Sequence, residues 1–274
     1  MSDATTDSKV QDANIRRRFD RAREIAKEAG ALAFSYFSER EKLVIESKAN
    51  LHDLVSAADR NVEKLIRERI LAAFPEDRML GEEFGLTAGR SPYLWVFDPI
   101  DGTLPFVLGM PSWCVSIAVV HQDEIVAGVI NAPRVEEFYA AARGIGATLN
   151  GKPLRLDPSL NVRNTTMGFG ANHHASPQNV GDFIRRLLEE GGNFLRNGSG
   201  ALSLAYVAAG RLGGYYEPYM HAWDCFAGYC LVKEAGGWHI PVRADDESLV
   251  RGTAVIAAAP GAAADLRRLA GVAV

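Results

Sequence analysis

The apolar positions of this chain change period several times, and each change marks an element. Ile25, Ala26, Ala29, Leu32, Ala33, Tyr36 and Phe37 recur at helical spacing. They predict an amphipathic helix over 15–39, with a solvated charged face that includes Arg16, Arg17 and Arg18. Leu43–Ile45 reads as a short strand and 48–53 as a turn-rich connection. Val62, Leu65, Ile66, Ile70 and Phe74 predict a second helix over 55–74, stopped by Pro75. From Tyr93 the pattern becomes continuous. Tyr93–Phe97, Trp113–His121, Ile125–Asn131 and Glu137–Ala142 are short aromatic and branched runs bounded by turn residues, as buried strands of an antiparallel sheet are. Asn150-Gly151 centres a hairpin over Ala147–Arg155.

The second half alternates. Strands are expected over Thr165–Gly170, Asn193–Arg196, Gly213–Glu217 and Ala254–Ala258. Helices are expected over 177–190, over Ser199–Gly210 with Ser199 as its cap, over Ala222–Ala235 ended by Gly236-Gly237, and over 260–270 begun by Pro260. The pattern predicts α+β layering. Residues 15–274 read as one folded unit of two lobes, divided within 146–160, and 1–14 as a loose polar tail.

Composition narrows the class. A net charge of −4 offers no basic footprint, so nucleic acid is not an expected partner. No apolar run reaches the ~18 residues of a membrane span, and the polar N-terminus lacks a signal-peptide core. Cys114, Cys225 and Cys230 have no metal-type spacing and lie in apolar company, as free thiols of a reducing compartment do. A cytoplasmic location is expected.

The candidate chemistry lies in five acids at element ends. Tyr93–Phe97 runs straight into Asp98-Pro99-Ile100-Asp101-Gly102-Thr103, and no Lys or Arg lies between Ser91 and Pro133. Acids at the edge of a core are costly without a counter-charge, which points to a metal ion or to a basic group brought in by the fold. Asp59 opens the second helix, Glu82 follows Gly81, and Asp224 follows Trp223. Asp59 and Asp224 also suit plain helix capping, and Glu82 suits an ordinary loop acid. Taken together, oxygen donors without a His or Cys set select a hard cation, Mg2+ before Mn2+. Gly102 permits close backbone approach by an anion and Thr103 adds a hydroxyl. Asn197-Gly198-Ser199-Gly200 makes a second turn of this kind, equally readable as a helix cap. The residues read as a two- or three-metal phosphoester hydrolase. His173-His174 reads as a loop near the entrance without a catalytic role, and His221 as a structural neighbour of Asp224.

These motifs resemble the inositol monophosphatase family. Asp98–Thr103 is similar to its DPIDGT signature, Asp53–Asp59 with Lys48 before it to its DLVTxxD segment, and Gly81-Glu82-Glu83 to its GEE. Gly198–Ala201 with Tyr215–Glu217 resembles its sugar-side segment, and Trp223-Asp224 with Glu234–Gly237 its second signature. The resemblance spans roughly 20–270. It implies a layered αβαβα sandwich, a Mg2+-dependent, lithium-sensitive phosphatase of a small phosphorylated polyol, and a homodimer. It implies one Mg2+ held by Glu82, Asp98 and the Ile100 carbonyl, a second held by Asp98, Asp101 and Asp224, and a weaker third near Glu82. Thr103, polarised by Asp59, would hold the attacking water, with Glu82 part of the same catalytic set. Gly102 and Thr103 N–H groups would take phosphate oxygens. Gly198, Ser199, Gly200, Glu217 and Asp224 would meet the polyol. One departure stands out: Pro105 occupies the place where the family usually has Asn. The pairing of Glu217 with Trp223 is closer to the inositol type, making inositol-1-phosphate the expected substrate. The alternatives are histidinol phosphate, more distantly an adenosine bisphosphate, and a non-catalytic regulatory relative.

Overall fold

The computed structural model describes residues 3–47, 54–242 and 249–272. Lys48 and Asp53, both part of the expected motif, lie outside them. The first helix, α1 (Asp3–Ser38), is longer than the pattern predicts. Residues 3–14, expected as a loose tail, form its opening turns, and Gln11 Nε2 lies 3.0 Å from Nδ1 of His121. Arg18 is a second correction. It is buried, donates from Nε and Nη2 to both oxygens of Asp77 at 2.8 Å, and lies over the ring of Tyr93. A bidentate partner and an aromatic face together compensate the desolvated guanidinium.

α2 (Ala57–Ala73) begins at Ser56, whose hydroxyl accepts from Ala58 N. Before it, β1 (Ile45–Ser47) pairs antiparallel with β2 (Leu54–Ser56). The main sheet then takes β3 (Arg78–Gly81), β4 (Gly85–Thr87), β5 (Tyr93–Asp101), β6 (Cys114–His121), β7 (Glu124–Ala132), β8 (Glu137–Ala142), β9 (Gly146–Leu149) and β10 (Lys152–Pro153). Its order is β10-β9-β8-β7-β6-β5-β3-β4, antiparallel except that β3 runs parallel to β5. Between β5 and β6 lies the short helix α3 (Thr103–Val107).

The chain leaves this sheet at Pro153 and enters the second at Thr166. That sheet contains β11 (Thr166–Phe169), β12 (Asn193–Leu195), β13 (Gly214–Met220), β14 (Trp238–His239) and β15 (Thr253–Ala258), ordered β12-β11-β13-β15-β14. The helices are α4 (Pro177–Glu189), α5 (Gly200–Ala208), α6 (Ala222–Glu234) and α7 (Pro260–Ala270).

Strand alternation sorts the layers. Trp95, Phe97, Val115, Ile117 and Val119 point into one core with α1 and α2. Leu94, Val96, Cys114, Ala118 and Val120 point the other way, into a core with α5, α6, Tyr215 and Ala257. Tyr216, Ile256 and Ala258, on the reverse face of the second sheet, meet α4 and α7. The molecule is therefore the layered αβαβα sandwich. Each fully buried large apolar side chain, such as Phe97 or Phe106, stabilises it by about 1.5–3 kcal/mol.

Candidate active site

The five predicted acids arrive from four places in the fold. β5 extends past Phe97 through both of its aspartates, rather than ending before them. Asp98 pairs with Ser116 and Asp101 with Cys114, so the register slips across Pro99 and Ile100. Residues three apart on a regular strand face opposite ways. This bulge counts two residues as one step and turns both acids toward the middle helices. Pro99 is tolerated there because a bulge needs no ladder N–H from it. Asp224, in the first turn of α6, completes a triad: one oxygen from each of Asp98, Asp101 and Asp224 lies within 4.8 Å of the others. Glu82 sits in the turn after β3 and lines the same cleft.

Asp59 stands beside Thr103 rather than in the triad. The Thr103 hydroxyl lies 3.4 Å from Asp59 Oδ1 and 3.2 Å from the Ile100 carbonyl. The capping roles that Asp59 and Asp224 could have are also realised. Ser56 N donates to Asp59 Oδ2 at 2.8 Å, and His221 N to Asp224 Oδ2 at 3.0 Å. A carboxylate has about four lone-pair positions, so a cap fixes its direction without exhausting it. Asp98 is oriented similarly, by Ile100 N on Oδ1 at 2.8 Å. Oδ2 of Asp101 accepts from the Ser199 hydroxyl and, at 2.8 Å, from Ala201 N at the start of α5.

Burial dominates the electrostatics. It pushes the carboxyls of Asp98 and Asp224 well above the usual carboxylate range, and the charges of Glu82 and Asp101 push both further. Asp101 rises to about 6, again through burial, against the opposing bonds from Ser199 and Ala201. Asp59 is raised by burial and lowered by Ser56. Among the described residues lining the cleft, Arg196 is the one Lys or Arg. Crowded oxygen donors of this kind are a set that a hard divalent cation satisfies.

The cleft holds about 730 Å3. Gly102 caps α3 at φ 91°, where an L side chain is strained, and a Cβ there would stand 2.8 Å from the Ser112 carbonyl. Gly198, Gly200 and Glu217 also line the cleft. Tyr215 OH donates to Glu217 Oε2 at 2.5 Å and Asn172 Nδ2 to Oε1 at 3.4 Å. Burial lifts the Glu217 carboxyl to about 7. Ser199, expected at the substrate, lines the cleft and gives its hydroxyl to Asp101. Pro105 packs on Gly198, where a Cβ would fall 2.8 Å from its Cγ, and beside it the exposed Leu104, Leu108 and Met110 rim the cleft.

His173 and His174 lie in the expected loop, their rings 3.8 Å apart. A ring ladder continues through Tyr219 and His221 to Trp223. Asn172 and Arg196 had no distinguishing sequence signal. Cys114 Sγ, 3.8 Å from Asp101 Oδ2, looked only like a core thiol. Among the described residues no helix is long and apolar enough to cross a membrane.

The chain has counterparts among known proteins. The profile of the inositol monophosphatase family matches residues 16–271. The inositol-1-monophosphatase of Rhizobium meliloti is 38% identical over 223 residues, 80% of this chain and 83% of that protein. The Nus factor SuhB of Xylella fastidiosa is 36% identical over 215 residues, 78% of each. The crystal structure of the extragenic suppressor protein suhB from Bartonella henselae superimposes with a TM-score of 0.85 at 32% identity, covering 93% of this chain and 98% of that one.

Proposed function

The chain belongs to the inositol monophosphatase family, and from that premise we propose that it is a Mg2+-dependent phosphomonoester hydrolase converting inositol-1-phosphate to inositol and phosphate. The observation that carries the reading is the placement of the Thr103 hydroxyl, against Asp59, at the edge of the Asp98–Asp101–Asp224 triad.

Two or three Mg2+ ions belong to the proposal, with Mn2+ as a substitute. Glu82, Asp98 and the Ile100 carbonyl would hold the first, and Asp98, Asp101 and Asp224 the second. Bound there, the metal neutralises phosphate charge and lowers the pKa of water. The chain's own residues do the rest. Asp59 accepts a hydrogen bond from the Thr103 hydroxyl, which leaves the hydroxyl oxygen aimed to accept one from the attacking water. Gly102 and Thr103 present backbone N–H groups to phosphate oxygens. Glu217 and the 198–200 turn meet the polyol hydroxyls. Such positioning is most of what phosphoryl transfer requires.

A second substrate reading is histidinol phosphate. Leu104, Leu108 and Met110, at the rim of a cleft that the His173 ring also lines, favour a leaving group with a planar apolar part. A purely regulatory role is disfavoured, because Asp59, Glu82, Asp98, Asp101, Thr103 and Asp224 are all present. The homodimer belongs to the same proposal and is checked by light scattering.

The deciding experiment measures phosphate release from inositol-1-phosphate and histidinol phosphate on one preparation, with Mg2+ and with or without lithium. Lithium-sensitive turnover of inositol-1-phosphate is expected to be the faster. No turnover of either substrate would remove the hydrolase reading.

A further inference from the structure

Glu82 differs from the other proposed metal ligands in where it sits. Asp98 and Asp101 are built into a sheet strand and Asp224 into a helix, whereas Glu82 is half-buried in the tight turn between β3 and β4. A side chain on a turn keeps its direction only if the turn itself is held.

That turn is clamped from α2. Glu63 is fully buried, and its two carboxylate oxygens accept from successive turn amides: Oε2 from Glu83 N at 2.8 Å and Oε1 from Phe84 N at 3.1 Å. Arg67, one helical turn further on, donates Nε to Glu63 Oε1 at 2.8 Å and reaches the Gly85 carbonyl and the Thr87 hydroxyl. Glu63 therefore has a charged partner and two amide donors, which compensates its burial. Gly81 leaves the room: a Cβ there would lie 2.3 Å from Glu63 Oε1. Asp59, Glu63 and Arg67 recur every fourth residue, on one face of α2. The first supports Thr103 and the second supports the turn that carries Glu82.

We infer that Glu63 is a positioning residue for metal binding, which sets the affinity of the Glu82 site by fixing the backbone at residues 83 and 84. The inference rests on the reading that Glu82 holds a cation. Residues that orient a metal ligand typically change affinity by roughly 10–100-fold when altered.

The test is calorimetric titration of the full chain with Mn2+ alone, on wild type, Glu63→Gln, Glu63→Asp, Glu82→Gln and the Glu63→Gln/Glu82→Gln pair. Glu63→Asp keeps the charge and Arg67 but withdraws the oxygens by one methylene, so it carries the test if Glu63→Gln does not fold. The expected result is a tenfold or greater loss of affinity in one class of site for each Glu63 variant. The double variant is expected to bind no worse than Glu82→Gln alone, and the KM of the two Glu63 single variants at saturating Mg2+ to stay at the wild-type value. Wild-type affinity in both Glu63 variants would overturn the inference, and so would losses that add in the double variant. Unchanged binding in Glu82→Gln would instead refute the metal role of Glu82 itself, a separable failure.

Discussion

Ser199 donates its hydroxyl to Asp101, so a helix of the middle layer holds an acid of the main sheet. The same hydroxyl accepts from Leu202 N at 3.2 Å, completing its own helix cap. Ser199 thereby couples the direction of Asp101 to the start of α5. Ser199→Ala should weaken metal binding by about tenfold and lower kcat at subsaturating Mg2+, with little change in KM. Kinetics over a range of Mg2+ concentrations read this directly.

Asp98 opposes folding in the metal-free chain. Because burial raises its carboxyl, the folded protein keeps a proton that the unfolded chain has already released. Its favourable contribution is complete below the unfolded value of about 4 and is lost as pH rises through the folded value. In the presence of a chelator, Asp98→Asn should melt above wild type at pH 8, by about 2–4 °C per kcal/mol relieved. The two should converge near pH 4. With Mg2+ the order should reverse, and phosphate release should fall by two orders of magnitude or more. Thermal melts across pH, with and without metal, check both halves.

Thr103→Val removes the hydroxyl while keeping the side-chain shape. If that hydroxyl positions the attacking water, kcat should drop by about 10²–10⁴ with KM nearly constant. Thr103→Ser should recover most of the rate. Equal activity in the valine variant would exclude the hydroxyl from the chemistry.

Burial lifts the Glu217 carboxyl to about 7. As an ionised acceptor for polyol hydroxyls it should bind substrate better above that pH. KM should rise as pH falls from 8 to 6. Glu217→Gln should raise KM by about tenfold or more and flatten its pH dependence. A KM profile in the variant that still follows wild type would assign the titration to another group.

Pro105→Asn restores an amide side chain beside Gly198. It should raise kcat/KM for inositol-1-phosphate relative to histidinol phosphate by several-fold, since Pro105 packs where a hydrogen-bonding group would otherwise face the cleft. Competition between the two substrates in one reaction measures the ratio. An unchanged ratio would mean that this position does not select the substrate.

The acids at the ends of apolar runs were legible in the sequence because nothing nearby could neutralise them. Asp98 and Asp101 could be read from the apolar run that ends in them, and Asp224 from its apolar company. Glu63 could not. An acid four residues before an arginine on an amphipathic helix has the pattern of a solvated ion pair, and only the fold buries it under the Glu82 turn. Arg18 misled for the same reason, since its partner Asp77 lies 59 positions away. The layers followed from strand alternation. The parallel pairing of β3 with β5 did not, because each strand's own pattern is indifferent to the direction of its neighbour. Ser199 was visible as a cap, but its contact with Asp101 depends on two sheets docking.

α2 gives the site a mechanical character. Asp59 and Glu63 lie one turn apart on a single rod, about 6 Å along its axis, and their spacing is set by the rod's internal hydrogen bonds. If the outer layer shifts against the sheet, the support of Thr103 and the clamp on the Glu82 turn travel together, as a common displacement. Repacking α1 against α2 can therefore change how firmly the rod is seated while the spacing between its two attachment points stays the same.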